Sequence, residues 1–319
     1  MVFKKWMGLF GLLLVLATEA LGQQAQRFAP EALGQDGRIT LTPAFSPDGN
    51  TLYFCQSECS PIWKCPQTLK FSTLGPAGWS TPKPVILPQL GRADWPSVSP
   101  DGSLLLFSWA VKRERHRGKD VDVDFDLYSL RIDEPGAVPK PLDEPDINRI
   151  RGGKVRTTRY INNETAPSLT SNGDLYFWTE RLDGIGRRDV YLARSNGEGG
   201  FRKPEPLPAP INSPSNDAGA WVSPNGKLML VNYSDRGGLG GNDLFVSTIE
   251  NGRWLEPVPL GPAVNSPYED FAARLSPDGA TLVFTSDRPL SGKESLLQVW
   301  SVQVDQVPGL AKTLAAANL

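Results

Sequence analysis

Histidine is nearly absent: His116 is the one copy in 319 residues. A Ser-His-Asp or Cys-His mechanism would have to recruit it, because an imidazole is the usual base for those nucleophiles. It lies instead in the basic run Lys112-Arg113-Glu114-Arg115-His116-Arg117-Gly118-Lys119, and no Gly-x-Ser-x-Gly elbow accompanies a serine. A Walker loop, a dinucleotide fingerprint and a zinc-ligand pattern are also missing, so no cofactor is expected. The net charge of -2 gives no global pull toward nucleic acid or anionic lipid. Cysteine is scarce and clustered, at Cys55, Cys59 and Cys65. Three thiols without a nearby histidine make a poor metal site, and no metal is expected. In an oxidising compartment two of the three should pair and leave one over. Cys55 and Cys65 fall on what reads as facing strands of one hairpin, which allows a cross-hairpin bridge, and Cys59 in the loop competes with either.

Long apolar runs are lacking too. Trp6 to Ala17 is apolar but only about a dozen residues long, short for a membrane span. Lys4 and Lys5 precede it, and Ala20-Leu21-Gly22 places small residues where a signal peptidase cuts. Residues 1–22 therefore read as a signal peptide and 23–319 as one domain, with no membrane span after cleavage; an uncleaved anchor is the other reading. No cysteine directly follows the run, which argues against a lipoprotein. Export to a bacterial periplasm or beyond follows from this reading.

Glycine (31) and proline (29) are abundant, and no long amphipathic helical pattern precedes the last dozen residues. That balance suits short strands joined by tight turns. Ser-Pro-Asp-Gly occurs at Ser46–Gly49, Ser99–Gly102 and Ser276–Gly279, with Ser223-Pro224-Asn225-Gly226 and Thr170-Ser171-Asn172-Gly173 as variants. The turn glycines are spaced 53, 71, 53 and 53 residues apart. Proline presets φ at the second position of a type I turn, and glycine at the fourth lets the chain leave. Each turn joins two apolar runs. A third strand follows (Asp126–Ser129, Asp189–Leu192, Asp243–Val246), then a proline-bearing edge strand (Trp79–Val85, Phe201–Leu207, Trp254–Leu260 and, as a weaker copy, Val138–Leu142), where the missing N–H costs no ladder bond. Four strands in 53 residues read as a propeller blade. The expected fold is all-β: five four-stranded blades, the second carrying insertions at Val111–Asp124 and Asp143–Asn163. The last blade lacks an edge strand and Phe28–Leu33 lacks a blade, so the N-terminal strand is expected to close the ring. Pro308–Leu319 is left as a short appendage or loose helix.

These turns resemble the TolB-type propeller repeat, over nearly all of the chain beyond the leader. Asn265-Ser266-Pro267-Tyr268-Glu269-Asp270, with Thr285-Ser286-Asp287-Arg288 after its turn, is similar to repeats of exported cell-envelope proteins, and Asn212-Ser213-Pro214 repeats its opening. The resemblance implies an envelope or extracellular propeller that binds something, and it implies no shared chemistry. The spacing predicts five blades where TolB has six, and no separate N-terminal α/β domain like that protein's is expected.

Candidate chemistry lies around the repeats. Asp94, Glu164, Asp217 and Asp270 each precede an inner strand and would gather at one mouth of the channel, as ligands for a cation, amine or sugar, or as caps of local backbone N–H groups. Arg113, Arg115 and Arg117 in one insertion, with Arg151, Lys154 and Arg156 in the other, form a candidate patch for an anionic partner, or else two solvated loops. Asp120, Asp122, Asp124 and Asp126 alternate, a pattern open to Ca²⁺ or simply leading into the third strand. Trp95, Trp109, Trp178 and Trp221 are sugar platforms or core packing. The expected function is a binding or scaffold module for a protein, peptide or glycan. The alternative is a glycosidase or lyase using channel carboxylates.

Overall fold

Every repeated turn closes through the same bonds. The glycine N–H donates to the first-residue carbonyl at 2.8–2.9 Å in all five. The first-residue hydroxyl donates to the Asp or Asn of its turn at 2.5–2.7 Å. All five glycines have φ between 71° and 85°, a region where a side chain is strained. The side-chain bond also holds Asp48, Asp101 and Asp278 below the usual carboxylate range.

The computed structural model describes residues 25–34, 37–62, 65–111, 125–149, 163–181, 183–289 and 295–317. The chain opens with β1 (Gln26–Arg27) and one helical turn, α1 (Pro30–Leu33). Blade 1 is β2 (Ile39–Phe45), β3 (Thr51–Ser57) and β4 (Thr68–Gly75), edged by the short β5 (Gly78–Trp79) and β6 (Lys83–Pro84). Blade 2 is β7 (Arg92–Val98), β8 (Leu104–Ala110), β9 (Asp126–Arg131) and β10 (Lys140–Pro141). Blade 3 is β11 (Glu164–Leu169), β12 (Leu175–Thr179), β13 (Asp189–Ala193) and β14 (Glu205–Pro206). Blade 4 is β15 (Asp217–Val222), β16 (Leu228–Tyr233) and β17 (Asp243–Glu250), edged by β18 (Arg253–Trp254) and β19 (Val258–Pro259). Blade 5 is β20 (Asp270–Leu275), β21 (Thr281–Ser286) and β22 (Gln298–Gln303), with β1 as its outer strand. The chain is thus a five-bladed β-propeller with an antiparallel sheet in every blade.

The four proline-bearing edge strands all form, as β6, β10, β14 and β19. The core lies in the seams between blades, one apolar cluster to each of the five seams. Second strands are covered on both faces, and this is why β16 is buried at every position.

Two expectations about the ends are corrected. Blade 5 is completed by β1, immediately upstream of the expected segment: Gln26 pairs with Ser301 and Arg27 with Trp300. Phe28–Leu33 adds only the Phe28 N–H bond to Val299 before Pro30 starts α1, where the missing N–H costs nothing. The Phe28 ring meets Phe45 and Trp79 of blade 1. At the other end, Pro308–Ala317 is a helix, α2, and it is no loose tail. Its Leu310 and Leu314 are buried in the seam between blades 4 and 5. Residues 1–22 lie outside the described residues, and no helix among those described is long and apolar enough to cross a membrane.

Candidate functional site

Each inner strand carries one bulge, and the bulge positions the site. Ladder register shifts there in all five blades. The bulge residues Thr42, Trp95, Ala166, Gly219 and Ala272 have φ of 52–66°. Only one of the five is glycine, so in four blades the surroundings hold a side chain in a strained conformation.

Glu164, Asp217 and Asp270 stand two residues before their bulges, and each meets an arginine from the loop after the second strand. Arg181 bonds Glu164 at 3.1 Å, Arg236 bonds Asp217 at 3.1 Å, and Arg288 bonds Asp270 at 2.6 Å. Each guanidinium also donates to a carbonyl just ahead of the blade: Ile147, Ile211 at 2.6 Å and Val264 at 2.5 Å. The asparagine after that carbonyl clasps the preceding blade. Asn148, Asn212 and Asn265 bond both the N–H and the C=O of Leu127, Val190 and Leu244, at 2.7–3.0 Å. Serines cap two of the acids, Ser213 on Asp217 and Ser266 on Asp270. Aromatic faces lie under the guanidinium groups, Tyr233 at 3.8 Å from Arg236 and Phe284 at 5.2 Å from Arg288. Burial pushes the Asp217 and Asp270 carboxyls above their ordinary value, against the pull of the serines and arginines. The three carboxylates thus face internal partners that tie one blade to the next.

Asp94 does not occupy the equivalent position. It stands one residue before its bulge, and Ala93 fills the place of the other acids. A one-residue offset reverses the face of a strand side chain. Asp94 therefore accepts from Thr42 Oγ1 of blade 1 and from the Trp95 N–H, both at 2.7 Å. Burial raises its carboxyl above 3.8, opposed by Thr42, the Trp95 N–H, the Cys55 thiol and Arg92. A carboxyl raised on folding binds protons more tightly folded than unfolded, so it subtracts stability as pH climbs above the ordinary value. Asp94→Asn keeps an acceptor for both donors. Its urea midpoint should match the parent near pH 4 and exceed it at pH 8; a lower midpoint at pH 8 would contradict the burial argument.

The disulfide joins Cys59 and Cys65, with Cα atoms 5.8 Å apart, and not Cys55. Cys65 precedes β4, so the residue facing Cys55 across the hairpin is Leu69. Cys55 is fully buried, and burial followed by Asp94 pushes its thiol well up. Dithionitrobenzoate should find no thiol in the folded protein and one in urea. Replacing Cys59 and Cys65 by serine should cost about 2 kcal/mol, as a loop this short predicts.

Arg113, Arg115, Arg117, Arg151, Lys154, Arg156, His116, Asp120, Asp122 and Asp124 lie outside the described residues. The roots of the two insertions are described. The Phe125 N–H donates to Asn163 Oδ1 at 2.9 Å, and the Glu164 N–H donates to the Phe125 carbonyl at 2.7 Å. The residues that follow the two insertions are therefore bonded to each other at the blade 2–blade 3 seam. Arg149, the last described residue before the second insertion, bonds Asp183 at 2.7 Å and Asp146 at 3.3 Å. Asp126 is buried at the start of β9. Trp109 is core, against Tyr128. Trp95 packs on Phe271, and Trp178 lies under Arg188. Trp221, half-buried, lines a cavity at the opposite mouth.

No family model matches the chain, and no curated protein matches it in sequence. Its fold aligns with solved propellers. RS223-Beta-xylosidase gives a TM-score of 0.51 at 13% identity, over 88% of this chain and 94% of that one. TolB from Acinetobacter baumannii gives 0.48 at 16% identity over 84% of this chain, which spans about half (55%) of TolB's length. Alpha-L-arabinofuranosidase from Lactobacillus brevis gives 0.49 at 13% identity, over 86% and 93%. The likeness is one of fold.

Proposed function

We propose that the chain is an exported β-propeller binding or scaffold module of the bacterial envelope or its exterior, which takes a negatively charged protein, peptide or glycan on the face where the inner strands begin. The observation that carries this reading is the pairing of Phe125 with Asn163 and Glu164, which roots both basic insertions at one seam. Arg113, Arg115 and Arg117 belong to one of these insertions and Arg151, Lys154 and Arg156 to the other, and together they carry six positive charges. Acid–base chemistry is less well served. Glu164, Asp217 and Asp270 are each held by an arginine, and Asp94 is held by Thr42.

Calorimetry with a sulfated glycan and an acidic peptide, against neutral counterparts, tests the reading. Binding should weaken steeply with added salt. It should fall at least about tenfold when either arginine-rich triplet is replaced by alanine, as the loss of charge-assisted contacts requires. Cleavage of a glycan that stops in Asp94→Asn while binding survives would establish the alternative, a carboxylate-dependent glycosidase or lyase.

A further inference from the structure

The Ser-Pro-Asp-Gly turns surround the opposite mouth of the channel, and a cavity of about 390 Å³ opens among those of blades 1, 2, 4 and 5. Two residues past each bulge, every inner strand presents one side chain at this depth: Ala44, Ser97, Ser168, Trp221 and Arg274. All but Ser168 line the cavity, and Ser168 is instead bonded to Val222. Small side chains in blades 1 and 2 leave the room that Trp221 and Arg274 face. Leu314 of α2 supplies an apolar wall.

Arg274 is anomalous here. It is 3% exposed, and its one described bond runs from a terminal nitrogen to the neighbouring Ala273 carbonyl at 2.9 Å. Its Nε is buried without a partner, and no carboxylate among the described residues forms an ion pair with it. The three arginines at the other mouth show the contrast, since each has its acid. Burial alone draws the Arg274 guanidinium down to about 9, which leaves it cationic at neutral pH. A buried charge without a counter-charge is strongly unfavourable, and an anion in the cavity removes the deficit. The turn aspartate at the rim, Asp278, is already bonded to Ser276 at 2.5 Å.

Arg274 is the only cation among the lining residues, which matches one negative charge better than the two of a phosphate. The indole of Trp221 and the side chain of Leu314 suit a flat, weakly polar body. We propose that this cavity binds a small aromatic or similarly flat monocarboxylate, with its carboxylate on Arg274 and its body against Trp221 and Leu314.

Calorimetry on the full chain with benzoate, phenylacetate and indole-3-acetate tests this, with benzamide and inorganic phosphate as controls. At least one carboxylate should bind saturably, and benzamide and phosphate should not. Arg274→Met should weaken that binding at least about tenfold, the loss expected for a charge-assisted bond. Without ligand, the same variant should melt at or above the parent temperature, because it removes an uncompensated charge. Ser97→Leu fills the cavity from blade 2 and leaves Arg274 in place. It should also abolish binding, and it carries the test if the methionine variant does not fold. Absence of carboxylate binding, equal binding in either variant, or preference for phosphate would overturn the proposal.

Discussion

Arg181→Met is expected to lower unfolding stability by about 3 to 5 kcal/mol, the usual cost of stranding one member of a buried ion pair. Glu164 is fully buried and Arg181 is 2% exposed, so water cannot take over the solvation of the carboxylate that remains. The bonds to Glu164 from Thr179 Oγ1 at 3.1 Å and from the Arg149 N–H at 3.3 Å do not neutralise its charge. The guanidinium also holds the Asp146 and Ile147 carbonyls, so its loss frees the loop that leads into blade 3. Arg236→Met and Arg288→Met should cost less, since those side chains are 17% and 14% exposed and solvent can partly compensate. Arg181→Met combined with Glu164→Gln should recover part of the loss, because the amide leaves no stranded charge and its single oxygen still accepts from one of the two donors, Thr179 or Arg149. Urea denaturation of the four variants checks the order. Equal losses at all three arginines, or a double variant no better than Arg181→Met alone, would show that charge burial is not the cause.

Features set by a few adjacent residues were legible in the chain. Proline at the second turn position and glycine at the fourth act within four residues, and their spacing therefore counted five blades correctly. The proline-bearing edge strands were legible for the same reason. The acid–arginine units were visible only as fragments. Arg181, Arg236 and Arg288 follow their acids by 17, 19 and 18 residues, a recurrence that sequence reading passed over because the acid and the base lie on different elements. Of the asparagines that clasp the preceding blades, Asn212 and Asn265 stand out in the sequence through their shared Asn-Ser-Pro, whereas Asn148 lacks that context.

The bulge was not legible at all. Thr, Trp, Ala, Gly and Ala occupy its left-handed position, so residue type does not announce it. Yet it decides which face an acid takes: Asp94 stands eight residues before its turn glycine and Glu164, Asp217 and Asp270 nine, an offset whose meaning shows only once the bulge is known. The place of Arg274 depends on the same bulge. Cys55 and Cys65 read as facing residues, but β4 begins only at Thr68, beyond Cys65. In each case the missing information was register, which is fixed by contacts between blades and hardly by local preference.

Removal of residues 25–34 should abolish cooperative folding of the closed ring. This segment contributes the outer strand of blade 5 through Gln26 and Arg27, and Arg27 also bonds Gln298 at 2.7 Å. Without it, β22 presents an unpaired edge, and such edges template association between copies. The seam between blades 5 and 1 would lose Ala32 and Leu33, which pack with Leu52, Phe54, Val283 and Val299. Leu33→Ala isolates that packing from the strand pairing. The side chain is 2% exposed, and its truncation should cost about 2 to 5 kcal/mol. Gln26→Pro isolates the pairing, since proline cannot donate to the ladder. Size-exclusion chromatography with urea denaturation separates these effects: the truncated chain should elute as aggregates, and Leu33→Ala as a less stable monomer-sized species. A truncated chain that eluted and unfolded like the parent would mean that five blades close without their N-terminal strand, and that the Pro-Asp-Gly hairpins with their seams suffice to hold the ring.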